Sequence, residues 1–400
     1  MHCVQNITPD IFWVGDGDRR LERFENMFPL PNGVSYNSYI IKDEKIALMD
    51  TVDASITRQF FENIEYVLGD KKLDYLVINH MEPDHCANIG ELLIRYPNVK
   101  IVGNKKTFQF ISQFYDFDIS NNMIEISEGD EIFLGKHTLR FFLAPMVHWP
   151  EAMFSYEKSE GILFSADAFG SFGAFTGNLF ADETDIENLY IDEYRRYYSN
   201  IVGKYGPQVQ NVLKKLAGVN INMICPLHGP VWRENLPFIL DKYNLWSTYT
   251  PEKNGVVLFY GSMYGNTENT VSLLANLLSQ KGIKDLRIHD VSKTNPSYII
   301  SDVFKYSHMV IASPTYNNGL YLPMESLIHE MAALNIQKRK ASIIGNGSWA
   351  PMADKRILQL VSEMKNMEIV GTPLVIHSSL KEEQLPALKE LAEAIYQSME

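Results

Sequence analysis

Cysteine is scarce in this chain: Cys3, Cys86 and Cys225 are the only three among 400 residues. That is too few for a disulfide framework and fits a reducing compartment. Positive charge is also in deficit, with 36 Lys and Arg against 49 Asp and Glu and a formal net charge of -13. A field of that sign repels phosphate backbones and anionic lipid heads, and no basic run interrupts it, which argues against nucleic acid and membrane surfaces as partners. Nowhere do about 18 apolar residues run together. The N-terminal stretch MHCVQNITPDIFWVGDGDRRLERF carries acidic residues where a secretory signal would have its apolar core. A soluble cytoplasmic protein is expected. No internal repeat and no low-complexity segment is present. The G-K-[ST] of a Walker loop and the G-x-G-x-x-G of a nicotinamide dinucleotide fold are missing as well.

What is present is enough for two cores. Hydrophobic residues make up 46% of the chain and charged residues 21%, and the length exceeds one ordinary domain. Strand-like and helix-like segments alternate from Tyr39 to Asn88. The stretch from Val99 to Asp167 is then richer in short apolar runs (LRFFLAP, AMFSYE, GILFSAD), as in a sheet-on-sheet core. Helical spacing resumes near Ile186 and Gly206, and NMICPLHGPVW ends another buried strand in a loop. The polar stretch STYTPEKNG, Ser247 to Gly255, reads as a linker, dividing a domain at 1–250 from one at 254–400. Beyond it VVLFY, LRIHDV, MVIAS, ASIIGN and PLVIHS alternate with helical segments, the pattern of a doubly wound, five-stranded parallel sheet.

The chemistry of the first domain begins in VINHMEPDHCAN, a loop between an apolar strand and a helical segment. In extended chain, residues i and i+2 point the same way, so His80 and Glu82 can meet one metal ion while Asp84 and His85 reach toward another. Downstream, APMVHWPE leaves His148 after a strand, LFSADAFG puts Asp167 at the end of one, and CPLHGP puts His228 after a third. Strand ends of one sheet core share a rim, so these positions converge on the first loop. Four imidazoles and three carboxylates suffice for two ions joined by one carboxylate, for which Asp167 is the candidate. A single histidine after a strand is more often structural, and Asp84 is by itself a good helix cap. Capping needs one such residue, not four. Cys86 and Cys225 adjoin these loops and read as packing residues rather than thiolate ligands.

This set resembles the metallo-β-lactamase fold, whose zinc hydrolases carry H-x-H-x-D-H in the same loop. Here Glu82 stands where the second histidine would be, which makes the site harder and more anionic. In that departure the chain is similar to the flavodiiron proteins, whose H-x-E-x-D-H, H, D, H pattern is complete at His80, Glu82, Asp84, His85, His148, Asp167 and His228. The resemblance implies a metallo-β-lactamase-like αββα sandwich followed by a flavodoxin-like domain.

The second domain carries its own signal in LFYGSMYGNTENTV, where a strand gives way to small and hydroxyl residues and then to a helix whose N-terminus can hold a phosphate. Ser262, Asn266 and Thr267 supply donors and Gly265 the tight turn. The third and fourth strands end in ASPTYNNGLYLP and IGNGSWAP at the same rim. There Tyr316 and Trp349 offer flat faces for a flavin, and Asn317, Asn318, Asn346 and Gly347 polar contacts. The order of elements resembles flavodoxin, with FMN as cofactor. The expected contacts span Ser262, Met263, Tyr264, Gly265, Asn266 and Thr267; Pro314, Thr315, Tyr316, Asn317, Asn318 and Gly319; and Asn346, Gly347, Ser348 and Trp349.

The family resemblance thus covers nearly the whole chain and implies a reaction: dioxygen to water or nitric oxide to nitrous oxide, at two iron ions fed by FMN. It implies one iron on His80, Glu82, His148 and Asp167 and the other on Asp84, His85, Asp167 and His228. In some members the residue matching His85 turns away. Tyr197 or Tyr198, in EYRRYYSNI, is a candidate phenol near the bound gas. No C-x-x-C iron site follows the last helix, so electrons are expected from a separate donor such as rubredoxin or a flavin reductase. The implied assembly is a head-to-tail homodimer or a dimer of such dimers. Two other readings use the same residues: a zinc hydrolase fused to a flavodoxin, which Glu82 disfavours, and an electron-transfer module without gas reduction.

Overall fold

Short apolar runs buried on both faces, such as YII, ALM and ILF, build the first half of the molecule. In the computed structural model, which describes all 400 residues, seven short strands form one mixed sheet in the order Gln5–Asn6, Ile11–Trp13, Tyr39–Ile41, Ala47–Met49, Tyr75–Val77, Lys100–Gly103 and Met123–Glu125. The first four pair antiparallel. From Ala47–Met49 onward the pairing is parallel, because helices such as Thr57–Leu68 and Lys105–Phe114 return the chain between strands. A second sheet runs Glu131–Phe133, Thr138–Leu143, Met153–Glu157, Ile162–Phe164 and Met223–Cys225.

One face of each sheet supplies a common core. Tyr39, Ile41, Ala47, Met49, Val77 and Val102 from the first cluster with Leu139, Phe141, Met153, Ile162, Phe164 and Cys225 from the second. The intervening residues Ile40, Leu48, Leu76 and Ile101 are also fully buried. Helix residues such as Phe60, Phe61 and Ile64 supply further buried apolar surface, so this is sheet on sheet with helices outside.

Strand direction then places the chemistry. Thr138–Leu143 is antiparallel to Met153–Glu157, which is antiparallel to Ile162–Phe164, which is parallel to Met223–Cys225. The first, third and fourth of these therefore end on one rim, and the loops leaving them carry His148, Asp167 and His228.

The second half is a parallel sheet in the order Leu286–Asp290, Lys253–Tyr260, Tyr306–Tyr316, Lys340–Asn346, with its fifth strand in two pieces, Glu368–Ile369 and Leu374–Ile376. Sequence reading treats PLVIHS as one strand. The structure adds a preceding piece and breaks the pairing around Gly371, whose φ of +74° takes the chain out of extended geometry. The strand order 2-1-3-4-5 is the flavodoxin-like one. Val256, Leu258, Val310, Ala312 and Ile344 pack against Val271, Leu274 and Leu278 of helix Asn266–Gln280 and Leu388, Leu391 and Ile395 of helix Leu385–Gln397.

By contacts the chain divides into one compact unit of Met1–Tyr198 with Pro207–Tyr243, and another of Ser199–Gly206 with Asn244–Glu400. In the second unit the buried Arg339 guanidinium is satisfied by main-chain carbonyls alone, those of Val303, Phe304, Tyr249, Gln337 and Lys338. No helix is long and apolar enough to cross a membrane.

Candidate metal centre and cofactor pocket

After strand Tyr75–Val77 the chain bends at Asn79, is extended at Glu82, with φ -62° and ψ 141°, and then coils into the single turn Pro83–Cys86. This switch separates the ligand-type side chains. His80 and Glu82 point to one place, while Asp84 and His85, on the helical turn, point to another. His80, Glu82, His148 and Asp167 bring ligand atoms within 4.8 Å of one another, and Asp84, His85 and His228 do the same.

Asp167 stands between the groups. Its Oδ2 lies 3.1 Å from His148 Nε2 and 3.5 Å from His80 Nε2, whereas its Oδ1 lies 3.1 Å from His85 Nε2 and 3.7 Å from His228 Nε2. Glu82 Oε2 is 3.3 Å from His80 Nε2 and 3.1 Å from His148 Nε2, and Asp84 Oδ2 is 3.3 Å from both His85 and His228. All seven residues are buried.

The imidazoles differ in what stands behind them. His80 Nδ1 donates to Glu151 Oε1 at 2.8 Å, and the same oxygen accepts from Met81 N at 2.8 Å. His228 Nδ1 lies 2.8 Å from the main-chain oxygen of Ser35, an acceptor only, so that nitrogen carries a proton and Nε2 is the one turned to the other ligand-type groups. His85 Nδ1 has no hydrogen-bond partner. Asp50 fixes the loop itself, accepting from Asn79 N at 2.7 Å, Asn79 Nδ2 at 2.7 Å and His80 N at 3.1 Å. Burial pushes its carboxyl up to about 6 against those donors.

This donor set fits a pair of cations. The Nε2 atoms of His85 and His228 are 3.0 Å apart and those of His80 and His148 3.3 Å apart, so each pair needs a proton or another cation between its two nitrogens. Both oxygens of Asp84 and Oδ1 of Asp167 are buried without hydrogen-bond partners. With protons as the only cations, burial opposes ionisation throughout, yet the carboxylates win: Asp167 and Glu82 raise His148 to about 9. Glu82 and Asp167 are correspondingly held well below the carboxylate range by the histidines. A third cluster, Asp10, His137 and Glu160, has ligand-type atoms at similar spacing. There the Lys136 ammonium already lies 2.7 Å from Asp10 and 3.2 Å from Glu160, so the cation's place is taken.

Aromatic rings wall the second group. The Tyr197 ring centroid is 5.5 Å from that of His228 and the Phe24 ring 5.4 Å, with Phe172 packed 5.1 Å from Tyr197. The Tyr197 hydroxyl is buried without a partner, and burial next to Asp167, Glu82 and Asp84 raises it well above its usual range. Tyr198, one helical position on, turns its ring instead against Tyr243 at 5.0 Å, because successive helix residues diverge by about 100°. Cys86 gives its thiol to the Met81 carbonyl at 3.2 Å and is pushed up to about 12 by burial, while Cys225 lies in the core between the sheets. Neither behaves as a thiolate.

Sequence reading missed Glu151, Asp50, Ser35 and Glu25. Glu25 is exposed as a residue, on the turn between Arg23–Phe24 and Phe28–Pro29. Its carboxyl nonetheless meets Glu82, and desolvation with that contact pushes it up to about 8. No local spacing marks these four.

In the second unit a cavity of about 350 Å³ is lined by Ser262, Met263, Tyr264, Asn266, Thr267, Pro314, Thr315, Asn317, Asn318, Asn346, Gly347, Ser348, Trp349 and Ser378. None of these is charged. Gly265, with φ +87°, caps helix Asn266–Gln280 and makes the turn without lining the cavity. Tyr316 and Gly319 also stand outside it. They pair across the short antiparallel ladder Thr315–Leu320, which turns the Tyr316 ring edge-on to Tyr321 at 6.4 Å. Ser378, which sequence reading missed, donates to Ser348 Oγ at 2.8 Å, and its carbonyl accepts from Asn346 Nδ2 at 3.0 Å. Asn346 Nδ2 also donates to Thr267 Oγ1 at 3.1 Å, leaving the Thr267 proton for a ligand. Thr315 Oγ1 accepts from Met352 N and Ala353 N and so holds the loop that displays Trp349. Neutral donors at a helix N-terminus and an open aromatic face fit a phosphate-bearing planar cofactor.

Comparison with known proteins supports both halves. A family model described as ODP family beta lactamase matches residues 34–229, and the Flavodoxin model matches residues 258–383. An uncharacterized protein of Methanocaldococcus jannaschii is 30% identical over 98% of this chain and 98% of its own. The anaerobic nitric oxide reductase flavorubredoxin of Vibrio vulnificus is 32% identical over 88% of this chain and 72% of its own. Among solved structures, rubredoxin oxygen:oxidoreductase from Desulfovibrio gigas superposes with a TM-score of 0.93 at 29% identity, covering 99% of this chain and 98% of that one.

Proposed function

The chain belongs to the flavodiiron family, and from that premise we propose that it reduces a diatomic gas, dioxygen to water or nitric oxide to nitrous oxide, at two iron ions supplied with electrons by FMN. The observation that carries the reading is Glu82. Its carboxylate occupies the place between His80 and His148 where a zinc hydrolase of the same fold would have an imidazole. Oxygen donors of that kind favour iron in its higher oxidation state.

In this reading His80, Glu82, His148 and Asp167 hold one ion, and Asp84, His85, His228 and Asp167 the other. When bound, the iron pair supplies electrons and open coordination positions for the gas, and FMN passes electrons on singly or in pairs. The chain's own residues do the rest. Glu151 and Ser35 fix the ring orientation of His80 and His228 before any ion arrives. Phe24, Phe172 and Tyr197 exclude water from the side of the second group. The Tyr197 hydroxyl, kept neutral by burial, donates a hydrogen bond to what binds there. The Glu25 carboxyl, raised to about 8 by desolvation and by its contact with Glu82, stands beside the first group as a protonated acid. In the second unit, Thr267 and the first turn of helix Asn266–Gln280 hold the FMN phosphate, and Trp349 covers its ring. We read rubredoxin or a flavin reductase as the electron donor, and a head-to-tail homodimer, or a dimer of such dimers, as the working unit.

The test is analysis of the purified protein followed by turnover with each gas from one artificial reductant. About two iron and one FMN per chain with gas consumption are expected. Stoichiometric zinc without gas consumption would overturn the reading in favour of the hydrolase.

A further inference from the structure

We infer that Glu151 is a positioning residue that makes the two metal positions unequal, by placing a full negative charge behind His80 where His228 has only a neutral carbonyl and His85 nothing. The inference rests on the metal pair proposed above.

The geometry is specific. The Glu151 side chain is fully buried. Its Oε1 takes both the His80 Nδ1 proton and the Met81 amide, while Oε2 has no hydrogen-bond partner. Little of the carboxylate's charge is therefore neutralised by other donors, and it bears on the His80 ring. The segment that carries it is fixed, because its main-chain oxygen accepts from Asn104 Nδ2 at 2.6 Å. That segment also supplies His148 three residues earlier, so one stretch of chain provides a ligand to the first position and the support of another.

An imidazole that donates to a carboxylate carries more electron density on its remote nitrogen, binds a cation more tightly and stabilises its higher oxidation state. A carbonyl at 2.8 Å from His228 Nδ1 gives a weaker push, and the unpartnered His85 Nδ1 gives none. The carboxylates point the same way. Asp167 is shared, so the first position has Glu82 with Glu151 behind it, and the second has Asp84 alone. The ion on His80, Glu82 and His148 is thus the one held longer and reduced later, and the ion on Asp84, His85 and His228 leaves and is reduced first.

Glu151→Gln isolates the charge, since the amide oxygen can still accept from His80 Nδ1 and Met81 N. The iron-loaded, FMN-containing full chain should give up its two irons to a ferrous chelator in two phases. In Glu151→Gln the slow phase should quicken about 10- to 100-fold, the usual effect of an outer hydrogen-bond partner on metal affinity, with the fast phase unchanged. A redox titration followed by electron paramagnetic resonance of the half-reduced pair should show a tenfold shift toward the reduced form at the later couple, ~59 mV for one electron. Glu151→Asp, which keeps the charge, should return most of that shift, an outcome that a merely space-filling role would not produce. Glu151→Gln with wild-type potentials, or with both irons released faster to the same degree, would overturn the inference alone. A wild-type chain unable to hold two irons would overturn the metal-pair reading, and this inference with it.

Discussion

The two sites of this chain are built on opposite plans. In the first unit every ligand-type side chain is buried, and His80 and His228 are each held by a second buried group, so the rings are oriented before any ion arrives. In the second unit the cavity opens on loops whose largest side chains stand in solvent, Tyr264 at 91% exposed and Trp349 at 80%. Charge follows the same division. Buried histidines of the first unit face carboxylates, as His80 faces Glu151 and His137 faces Glu157. The buried His308 of the second unit has hydroxyls as its hydrogen-bond partners, those of Ser307 at 2.7 Å and Ser398 at 2.8 Å. The difference teaches what each site must do. Adjacent like charges can be confined only where the protein has already met the cost of their placement. A neutral, open cradle is free to be completed by the cofactor it binds.

Three variants press on that contrast. Removing the carboxylate common to both metal groups should have the largest effect: Asp167→Asn is expected to lower gas turnover by more than about 100-fold and to empty both positions, since even outer partners are worth about 10- to 100-fold. Flavin content should stay unchanged. Metal analysis with a gas electrode checks it, and one iron retained at full occupancy would show that the two groups do not depend on a common carboxylate.

Acid should separate the units next. Burial, with the Lys340 charge nearby, lowers His308 to about 4, below the ordinary value of about 6.5. The unfolded chain therefore takes up a proton that the folded one refuses. Stability of the second unit is full above about pH 6.5, declines as pH falls toward about 4, and is flat below, with a total loss of about 3 kcal/mol. Thermal melts followed by flavin release should show this slope, and His308→Gln should flatten it. An unchanged slope in the variant would place the titrating group elsewhere.

The smallest effect is expected at the exposed ring. Trp349→Ala should weaken FMN by about 1 kcal/mol, roughly fivefold, with Trp349→Phe recovering most of it. Equal affinity in both variants, measured by flavin fluorescence, would remove the ring from the cofactor's face.

Much of this was legible in the chain because ligand residues must be of particular types at particular places. His80, Glu82, Asp84 and His85 share one loop, and His148, Asp167 and His228 each follow an apolar strand. The alternation of strands and helices after Val256 made the parallel, doubly wound sheet readable in the same way, and the strand order came only with the structure. The supporting residues left no such trace. Glu151 is 71 positions from the histidine it aims, and Ser35 is 193 from His228, distances across which pattern carries no information. The same loss affects the setting of Tyr316: an aromatic residue at a strand end is readable, but its pairing with Gly319 is a matter of register. Between Tyr197 and Tyr198 the chain could not choose, because about 100° of helical phase decides which ring meets His228 and which meets Tyr243.

The hold on His228 has a consequence for how this site can vary over descent. Its far nitrogen is anchored to the main-chain oxygen of Ser35, in strand Val34–Tyr36, and that oxygen is present whatever amino acid occupies the position. The hold on His80 is a side chain, and a single codon change can delete its charge. One ring of the pair is thus tied to an inheritance that ordinary point substitution cannot erase, and the other to one that it can adjust. A lineage that needed a different readiness to give up electrons has that freedom at position 151, and can use it without disturbing the strand on which His228 depends.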